Sequence, residues 1–372
     1  MSDKIYCQVC LIVIQDHVKL YPLGFDDVSN YSNDYGYNSL AALAKGKAMQ
    51  SFYERLDDAL SEFHKDVSID VVGSRTVADV RYSDLGLTYD EACTVFMVYK
   101  GDHPLYYWIS NSWSYTSRSI AVQVCESYVK GAERARCNDL VYSAVREYMS
   151  IVEGETSVYH ITLGIHDAIV DDAKYAFKAD GVTPSDEEWV YNVIGILDRG
   201  EGVCESYSEL FSLVLNYCDI NNVIVSGMSD AGAHAWNLVQ LDDGKWYWYD
   251  PTWAELSIMN GITHTSFCVN DTQDPTERIG RWTISGAPFI SRHQPYPSDT
   301  FGTRYCPALP ERSDTVFSID DTMLYDTFEY EGVKYMVIGY DTVYCDKYWI
   351  GGATLPETLT YNGRTYKVVV DK

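Results

Sequence analysis

Basic residues are scarce in this sequence. Its 372 residues include 28 lysines and arginines against 54 aspartates and glutamates, so the formal net charge at pH 7 is −26. A surface this acidic repels a phosphate backbone, which excludes non-specific nucleic-acid binding as the default function. Contact with an anionic membrane surface is disfavoured for the same reason.

Long apolar runs are also missing. The longest apolar stretch, Ile5–Ile14, is much shorter than the ~20 residues that a membrane-spanning helix needs. It lacks a basic leader and a clear small-residue cleavage site, so it is a poor signal peptide. We therefore expect no membrane insertion.

Cysteine is too sparse for a disulfide scaffold, with 10 in the whole chain. Cys7-x-x-Cys10 is half of a zinc-site pattern, but no second CxxC or HxxxH pattern completes it. Two cysteines on an apolar strand are the simpler interpretation. We expect no metal, no cofactor and few or no disulfides, because a chain of this length can bury a core without them.

The remaining composition is ordinary for a folded protein, with 46% hydrophobic and 22% charged residues. Helical periodicity covers 39–66, 126–151 and 156–177, whereas short strand-like runs occupy Thr94–Tyr99, Leu105–Ile109 and Ser119–Val124. From Val316 onward the pattern is typical of strands and hairpins. We predict an α+β fold with an N-terminal α/β region (1–150), a central core (151–298) and a small C-terminal β domain (312–372).

Local signals refine this map. Ser185 and Glu188 form a capping-box pattern that predicts the start of a helix. Five prolines between 288 and 313 predict an irregular linker. The tetrapeptide Tyr361-Asn362-Gly363-Arg364 predicts a two-residue hairpin turn.

Cys204 has the sequence context of a nucleophile. Gly200 and Gly202 interrupt regular structure before it, and a helix with one apolar face begins there, carrying Tyr207, Leu210, Phe211, Val214, Leu215 and Cys218. The N–H groups and dipole of a helix N-terminus favour a thiolate and can receive an oxyanion. Cys218, on the apolar face, is better explained as a small buried hydrophobe.

A thiolate nucleophile needs a base and an orienting acid. His234 begins one predicted strand and Asp250 ends the next, with Asp242-Asp243-Gly244 between the strands. A two-residue turn would put His234 and Asp250 on opposite sheet faces. A three-residue loop would make them diagonal neighbours on one face. Gly244 in the third position favours the second geometry, although Asp243-Gly244 also suits the first.

Four segments in this part of the chain resemble the transglutaminase-like superfamily, in its bacterial branch. They are Ile165-His-Asp-Ala-Ile, Gly202-Val-Cys-Glu-Ser-Tyr207, Gly232-Ala-His-Ala-Trp-Asn237 and Trp246-Tyr-Trp-Tyr-Asp-Pro-Thr-Trp253. The resemblance implies a papain-like core in which a helix bearing the cysteine packs on an antiparallel sheet bearing the histidine and the acid. It implies a triad of Cys204, His234 and Asp250, with Trp236 beside it as a substrate-binding residue. Ser206 departs from the glycine more common in bacterial members, and His166-Asp167 is interpreted as helix packing.

The flanks carry weaker resemblances. His103-Pro-Leu-Tyr-Tyr-Trp108 is similar to a segment upstream of the core in bacterial surface members. The tail from Ala353 to Val368 resembles the strand leader before leucine-rich repeats in bacterial cell-surface proteins. This implies an extracellular or cell-surface protein that continues beyond Lys372 into repeats able to contact a cell wall or host surface. The alternative is an ordinary terminal β-hairpin domain.

The predicted function is a thiol hydrolase that cleaves peptide or amide bonds of a protein or peptide substrate. One alternative is a cross-linking transglutaminase, which would need an apolar channel to hold a lysine beside the thioester. Trp236, Trp246, Trp248 and Trp253 could line one, but packing of a sheet face on the Cys204 helix explains them better. A second alternative is a cell-surface binding module that uses the core only as a scaffold.

Overall fold

The computed structural model describes residues 11–14, 17–20, 28–254, 263–273, 276–279, 282–285, 288–352 and 354–370, so Cys7 and Cys10 lie outside the described residues. Within these ranges the helices are α1 (Tyr35–Leu40), α2 (Gly46–Lys65), α3 (Tyr89–Asp102), α4 (Gly131–Ile151), α5 (Val158–Asp172), α6 (Val193–Arg199), α7 (Cys204–Tyr217) and α8 (Phe289–Arg292). None of these helices combines the length and apolar content needed to cross a bilayer.

The strands are short and numerous. In chain order they are β1 (Leu11–Ile14), β2 (His17–Leu20), β3 (Thr76–Arg81), β4 (Ser114–Tyr115), β5 (Ser119–Gln123), β6 (Lys174–Tyr175), β7 (Glu201–Gly202), β8 (Asn222–Ser229), β9 (Gly232–Gln240), β10 (Trp246–Tyr249), β11 (Thr276–Ile279), β12 (Trp282–Ser285), β13 (His293–Pro295), β14 (Thr327–Tyr330), β15 (Val333–Gly339), β16 (Thr342–Cys345), β17 (Thr358–Tyr361) and β18 (Arg364–Val370).

The N-terminal region contains α1–α3 and an antiparallel sheet of order β3-β5-β4. The strand prediction for Thr94–Tyr99 is wrong, because these residues lie inside α3. A capping box begins that helix: the Thr88 hydroxyl accepts from the Glu91 N–H at 3.2 Å, and Glu91 accepts from the Thr88 N–H at 2.7 Å. Residues 91–96, the middle of α3, are all buried, so this part of the sequence shows no helical period.

Other helix predictions hold with shifted ends. The predicted helix over 39–66 divides into α1 and α2, while α4 and α5 correspond to the later two. The capping box predicted at Ser185 is wrong, because the Glu188 carboxylate instead accepts from Arg75 and from the Glu126 N–H. The next α-helix, α6, is capped by Asn192, whose side chain accepts from the Ile194 N–H at 3.1 Å.

The central sheet has the order β10-β9-β8-β13, and α7 packs against β9. Hairpin β9–β10 pairs Gln240 with Trp246 and Asn237 with Tyr249, and the Leu241 N–H donates to the Lys245 carbonyl at 3.0 Å. The loop is therefore Asp242-Asp243-Gly244, as the three-residue alternative predicts. Gly244 has a φ of 76°, which glycine adopts without strain.

The same loop also caps the N-terminus of α5. The Asp242 carboxylate accepts from the Val158 N–H at 2.9 Å, the Tyr159 N–H at 3.2 Å and the Ser157 hydroxyl at 3.0 Å. Ser157 is the N-cap residue of α5, but its own side chain makes no capping bond. Asp242 therefore supplies the cap that α5 lacks locally.

The predicted linker over 288–313 contains regular structure and is wrong in that respect. Residues of α8 lead directly into β13, which pairs antiparallel with β8, so that His293 lies opposite Ser229 and Pro295 opposite Gly227. A Cβ atom on Gly227 would overlap the Gln294 carbonyl and lie 2.6 Å from Trp236 Cη2. The absence of a side chain at Gly227 thus lets β13 approach the sheet.

The C-terminal sheet has the order β14-β15-β16-β18-β17, with β16 and β18 parallel. Its last hairpin turns through Asn362 and Gly363, both with positive φ, which confirms the predicted two-residue turn. The predicted α+β class, with a cysteine-bearing helix on an antiparallel sheet and a small C-terminal β domain, is confirmed. The largest hydrophobic core contains side chains from Tyr31 to Phe317, and the predicted boundaries 1–150, 151–298 and 312–372 stay predictions.

Candidate active site

Cys204 is the first residue of α7. Gly200 ends α6 with a φ of 67°, and a Cβ on Gly202 would lie 2.7 Å from the Ser206 Cβ, so both glycines are needed for this approach. Cys204 is partly exposed, whereas the other cysteines of the described residues are buried: Cys93, Cys125, Cys137, Cys218, Cys268, Cys306 and Cys345. All eight are free thiols.

His234 connects Cys204 to Asp250. Its Nε2 lies 2.8 Å from Asp250 Oδ2, which leaves Nδ1 for the hydrogen bond with the Cys204 side chain. Burial lowers the pKa of His234, but the Asp250 charge, the hydrogen bond to it and Cys204 outweigh burial and raise this pKa to about 10. His234 is therefore an imidazolium at neutral pH.

Asp250 has no exposed surface and is held from several sides. Burial raises the pKa of this carboxyl, but His234 and His293 outweigh burial and hold it below the usual range. Its backbone N–H donates to the Ser266 carbonyl at 2.8 Å, and Oδ1 accepts from the Thr252 N–H at 3.1 Å. Asp250 is thus a fixed, ionised acceptor.

His293 is a site residue that the sequence analysis missed. Its Nε2 lies 2.8 Å from the same Asp250 oxygen that His234 contacts, and it is 1% exposed. The proline-rich segment around it favoured a linker, and no local motif marks it. Only the pairing of β13 with β8 brings it to the site.

The substrate-binding role of Trp236 stays a prediction. Trp236 has no exposed surface, and its ring stacks on His234 at 5.8 Å between ring centres. Trp253 also stacks on His234, at 5.7 Å, and keeps part of its surface open. The guanidinium of Arg292 lies 4.3 Å from the centre of the Trp253 ring. Trp236 therefore packs on the imidazole from inside the protein, whereas Trp253 is partly exposed beside it.

Tyr175 also reaches Cys204. Strand β6 pairs with β7 in parallel and places Tyr175 opposite Gly202, two residues before Cys204. The Tyr175 hydroxyl accepts a hydrogen bond from the backbone N–H of Cys204. Burial and the Cys204 charge nevertheless raise the pKa of Tyr175, so this side chain is a neutral phenol beside the sulfur. No sequence motif pointed to Tyr175.

Ser206 and the His166-Asp167 pair have other roles. The Ser206 hydroxyl donates to the Val190 and Asn192 carbonyls and ties α7 to the segment before it. Asp167 accepts from the His264 ring at 2.6 Å, from His166 at 3.0 Å and from the Tyr340 N–H.

Two His-Asp-His groups bring metal-ligand atom types within 4.8 Å of one another: His166, Asp167 and His264, and His234, Asp250 and His293. In the described residues, the outer ring nitrogens of His166 and His264 have no partner. A metal-bound histidine normally donates that N–H to an acceptor. In the second group the nitrogens contact Asp250 at hydrogen-bond distance. Both groups are therefore interpreted as hydrogen-bond networks.

Several solved structures match part of this chain. A candidate cysteine protease from Cytophaga hutchinsonii is 20% identical (TM-score 0.25) over 33% of this chain and 40% of its own. The periplasmic domain of TgpA from Pseudomonas aeruginosa, bound to ethylmercury, is 16% identical (TM-score 0.25) over 37% and 55%. A TGase is 14% identical (TM-score 0.27) over 38% and 43%. This chain thus covers about half the length of these proteins or less.

No curated protein sequence matches the chain significantly. Residues 148–251 match the sequence model of the transglutaminase-like superfamily, a range that includes α5, Cys204, His234 and Asp250. That range also carries the cysteine-bearing helix and the antiparallel hairpin described above. The match to the transglutaminase-like superfamily therefore covers the helix and the hairpin that position Cys204, His234 and Asp250.

Proposed function

We propose that this protein is a thiol hydrolase that cleaves peptide or amide bonds through Cys204, His234 and Asp250. One observation carries the proposal: His234 holds Asp250 at 2.8 Å with one ring nitrogen and hydrogen-bonds Cys204 with the other. A nucleophile, a base and an orienting acid in this order are the arrangement that acyl transfer requires.

The chemistry follows from these contacts. The Cys204 sulfur attacks the carbonyl carbon, and the new C–S bond pushes the carbonyl electrons onto oxygen. The Cys204 N–H, at the start of α7, donates to that oxyanion once the substrate oxygen replaces the Tyr175 hydroxyl, which accepts from this N–H before substrate binds. His234 then protonates the departing amine as the C–N bond breaks. Finally, His234 takes a proton from water, which attacks the thioester and releases the acid and the free thiol.

Hydrolysis is favoured over amine transfer by the burial of the tryptophans. A cross-linking enzyme must hold a lysine chain in an apolar channel that excludes water. Trp236 and Trp248 have no exposed surface, so neither can line such a channel. Trp246 and Trp253 are both partly exposed, but Trp246 packs against Tyr35, whereas Trp253 stacks on His234.

The proposed substrate is a protein or peptide. The net charge of −26 attracts chains that carry lysine or arginine and raises their encounter rate at low salt. An extracellular or cell-surface location and contact with a cell wall or host surface through C-terminal repeats stay predictions from sequence resemblance.

Selective alkylation tests the nucleophile. Among the described cysteines we expect iodoacetamide near neutral pH to label Cys204, identified by peptide mapping, since the others are buried. Cys204→Ala should abolish this label. The matched control is Cys218→Ala, which changes a buried cysteine of the same helix region and should leave the label intact. An inert Cys204 would favour the binding module.

A second assay separates the two reaction classes. The protein is incubated with a peptide library and, in parallel, with a glutamine-containing donor and a labelled primary amine. We expect peptide cleavage that is lost in Cys204→Ala. Amine incorporation that depends on Cys204, without any cleavage, would identify a cross-linking transglutaminase instead.

A further inference from the structure

Both ring nitrogens of His293 face hydrogen-bond acceptors. Nε2 lies 2.8 Å from Asp250 Oδ2, and Nδ1 lies 3.2 Å from the Phe289 carbonyl oxygen. A carboxylate and a carbonyl can only accept, so each contact requires a hydrogen on the nitrogen. An imidazole ring with hydrogens on both nitrogens carries a positive charge.

The surroundings of His293 fix this orientation. The ring stacks on Phe289 with 3.9 Å between centres and 4° between planes, and the edge of Trp236 meets it at 5.1 Å. Its backbone belongs to β13, which is paired with β8. A ring that is 1% exposed and packed on several sides keeps the same nitrogen on Asp250.

Charge balance also favours a cation at this position. Asp250 is fully buried, and an ionised carboxylate in such a place needs a compensating charge. The same Asp250 oxygen lies 2.8 Å from the rings of both His234 and His293, so a positive His293 adds to the charge that balances this carboxylate.

Other ionisable groups around His293 are accounted for. Asp250 and His234 face it directly, the latter with 5.6 Å between ring centres. Arg292, the preceding residue, lies over Trp253 and pairs with Asp230 at 2.8 Å. Phe289, Trp236 and Trp253 form the remaining ring contacts and carry no charge.

We propose that His293 is a positioning residue that holds Asp250, and through it His234, while serving as the buried cation that balances the Asp250 carboxylate. The inference deepens the proposed function, since it concerns the same site. It predicts that His293 affects the reactivity of Cys204 in two separable ways: through the N–H that holds Asp250, and through its positive charge.

Two substitutions separate these effects. His293→Gln keeps an N–H donor for Asp250 but removes the charge, and His293→Phe keeps an aromatic ring on Phe289 but removes the donor. Loss of a nearby cation raises the pKa of neighbouring acids. We therefore expect the whole pH profile of the Cys204 alkylation rate to shift to higher pH in His293→Gln. In His293→Phe the maximal alkylation rate should also fall by about tenfold, the effect of losing one hydrogen bond to a charged group.

A matched control changes another buried histidine, one that contacts a partly buried aspartate. His264→Gln alters the contact with Asp167 at 2.6 Å and should leave the alkylation profile of Cys204 unchanged. Thermal unfolding monitored by circular dichroism verifies that each variant is folded. A His293→Gln profile that superimposes on the wild type, or a His293→Phe rate equal to the wild type, overturns the proposal.

The charge can be measured without any reaction. In the [15N]histidine-labelled wild-type protein we expect both ring nitrogens of His293 to give the signals of protonated nitrogen near neutral pH, assigned by their loss in His293→Gln. A neutral tautomer would overturn the inference. This result does not depend on the reactivity of Cys204, so failure of the proposed function and failure of this inference are distinguishable.

Discussion

The proton held by His234 makes the stability of the protein depend on pH. The pKa of His234 is about 10 in the folded protein and about 6.5 in an unfolded chain. Between these values the folded state keeps a proton that the unfolded state releases, so the free energy of unfolding falls as pH rises. The contribution is complete below about pH 6.5 and is lost as the pH passes about 10.

Urea unfolding of the wild type and His234→Gln checks this expectation. The wild type should exceed the variant in unfolding free energy most at pH 6, and the difference should shrink steadily toward pH 10. A difference that stays constant or grows over this range would contradict the raised pKa.

Truncation of the two tryptophans that stack on His234 should change stability and substrate binding to different extents. Trp236→Ala removes a fully buried ring and should cost about 3–5 kcal/mol of unfolding free energy. Trp253→Ala removes a partly exposed ring, so we expect a smaller loss of stability but a raised KM for a peptide substrate. Denaturant unfolding and steady-state kinetics measure the two effects. Equal destabilisation with no change in KM would contradict a substrate-facing role for Trp253.

At the scale of elements, Gly227 determines whether β13 can reach the sheet. A Cβ at this position would meet the Gln294 carbonyl and the Trp236 ring, so Gly227→Ala should push β13 outward and move His293 away from Asp250. We expect lower stability and slower alkylation of Cys204.

Gly101→Ala is the control for this change. Gly101 lies in α3 with free space around an added Cβ, where alanine should leave stability equal or raise it by up to about 1 kcal/mol. If Gly227→Ala behaves like Gly101→Ala in unfolding and alkylation, the close approach of β13 does not matter for the site.

Sequence reasoning was most effective where local chemistry determines local structure. The glycines before Cys204 predicted the start of α7, and the favoured three-residue loop predicted the pairing of β9 with β10. Both features depend on residues that are near in sequence. It was wrong at Thr94–Tyr99, where the unbroken run of buried residues 91–96 in α3 leaves no periodic pattern.

His293 and Tyr175 escaped prediction for a different reason. Each reaches the site through strand pairing with a distant segment: β13 with β8, and β6 with β7. Short strands of two or three residues carry no alternation to recognise, and the prolines around β13 are typical of loops. Long-range pairing of this kind is decided by the packed molecule and not by the local sequence.

At the scale of the whole molecule, the net charge of −26 should make stability depend on salt. Like charges on a compact chain repel one another more than on an expanded one, and dissolved ions screen this repulsion over about 10 Å at 0.1 M. We expect the Tm to rise as sodium chloride is increased from about 10 to 200 mM. Calorimetry at fixed pH measures this. A falling Tm would mean that ion pairs such as Arg364–Glu155, at 2.6 Å, outweigh the net repulsion.

The loop Asp242-Asp243-Gly244 places an unusual constraint on how this protein can vary. Exposed loops generally tolerate insertions and deletions well. Here a one-residue slip in the pairing of β9 with β10 would transfer the side chains of one strand to the other sheet face and separate His234 from Asp250. The loop must also let the Asp242 carboxylate reach the first turn of α5. Relatives that keep the triad and change the length of this loop are therefore expected to keep both the strand register and an acceptor for the N-terminus of α5.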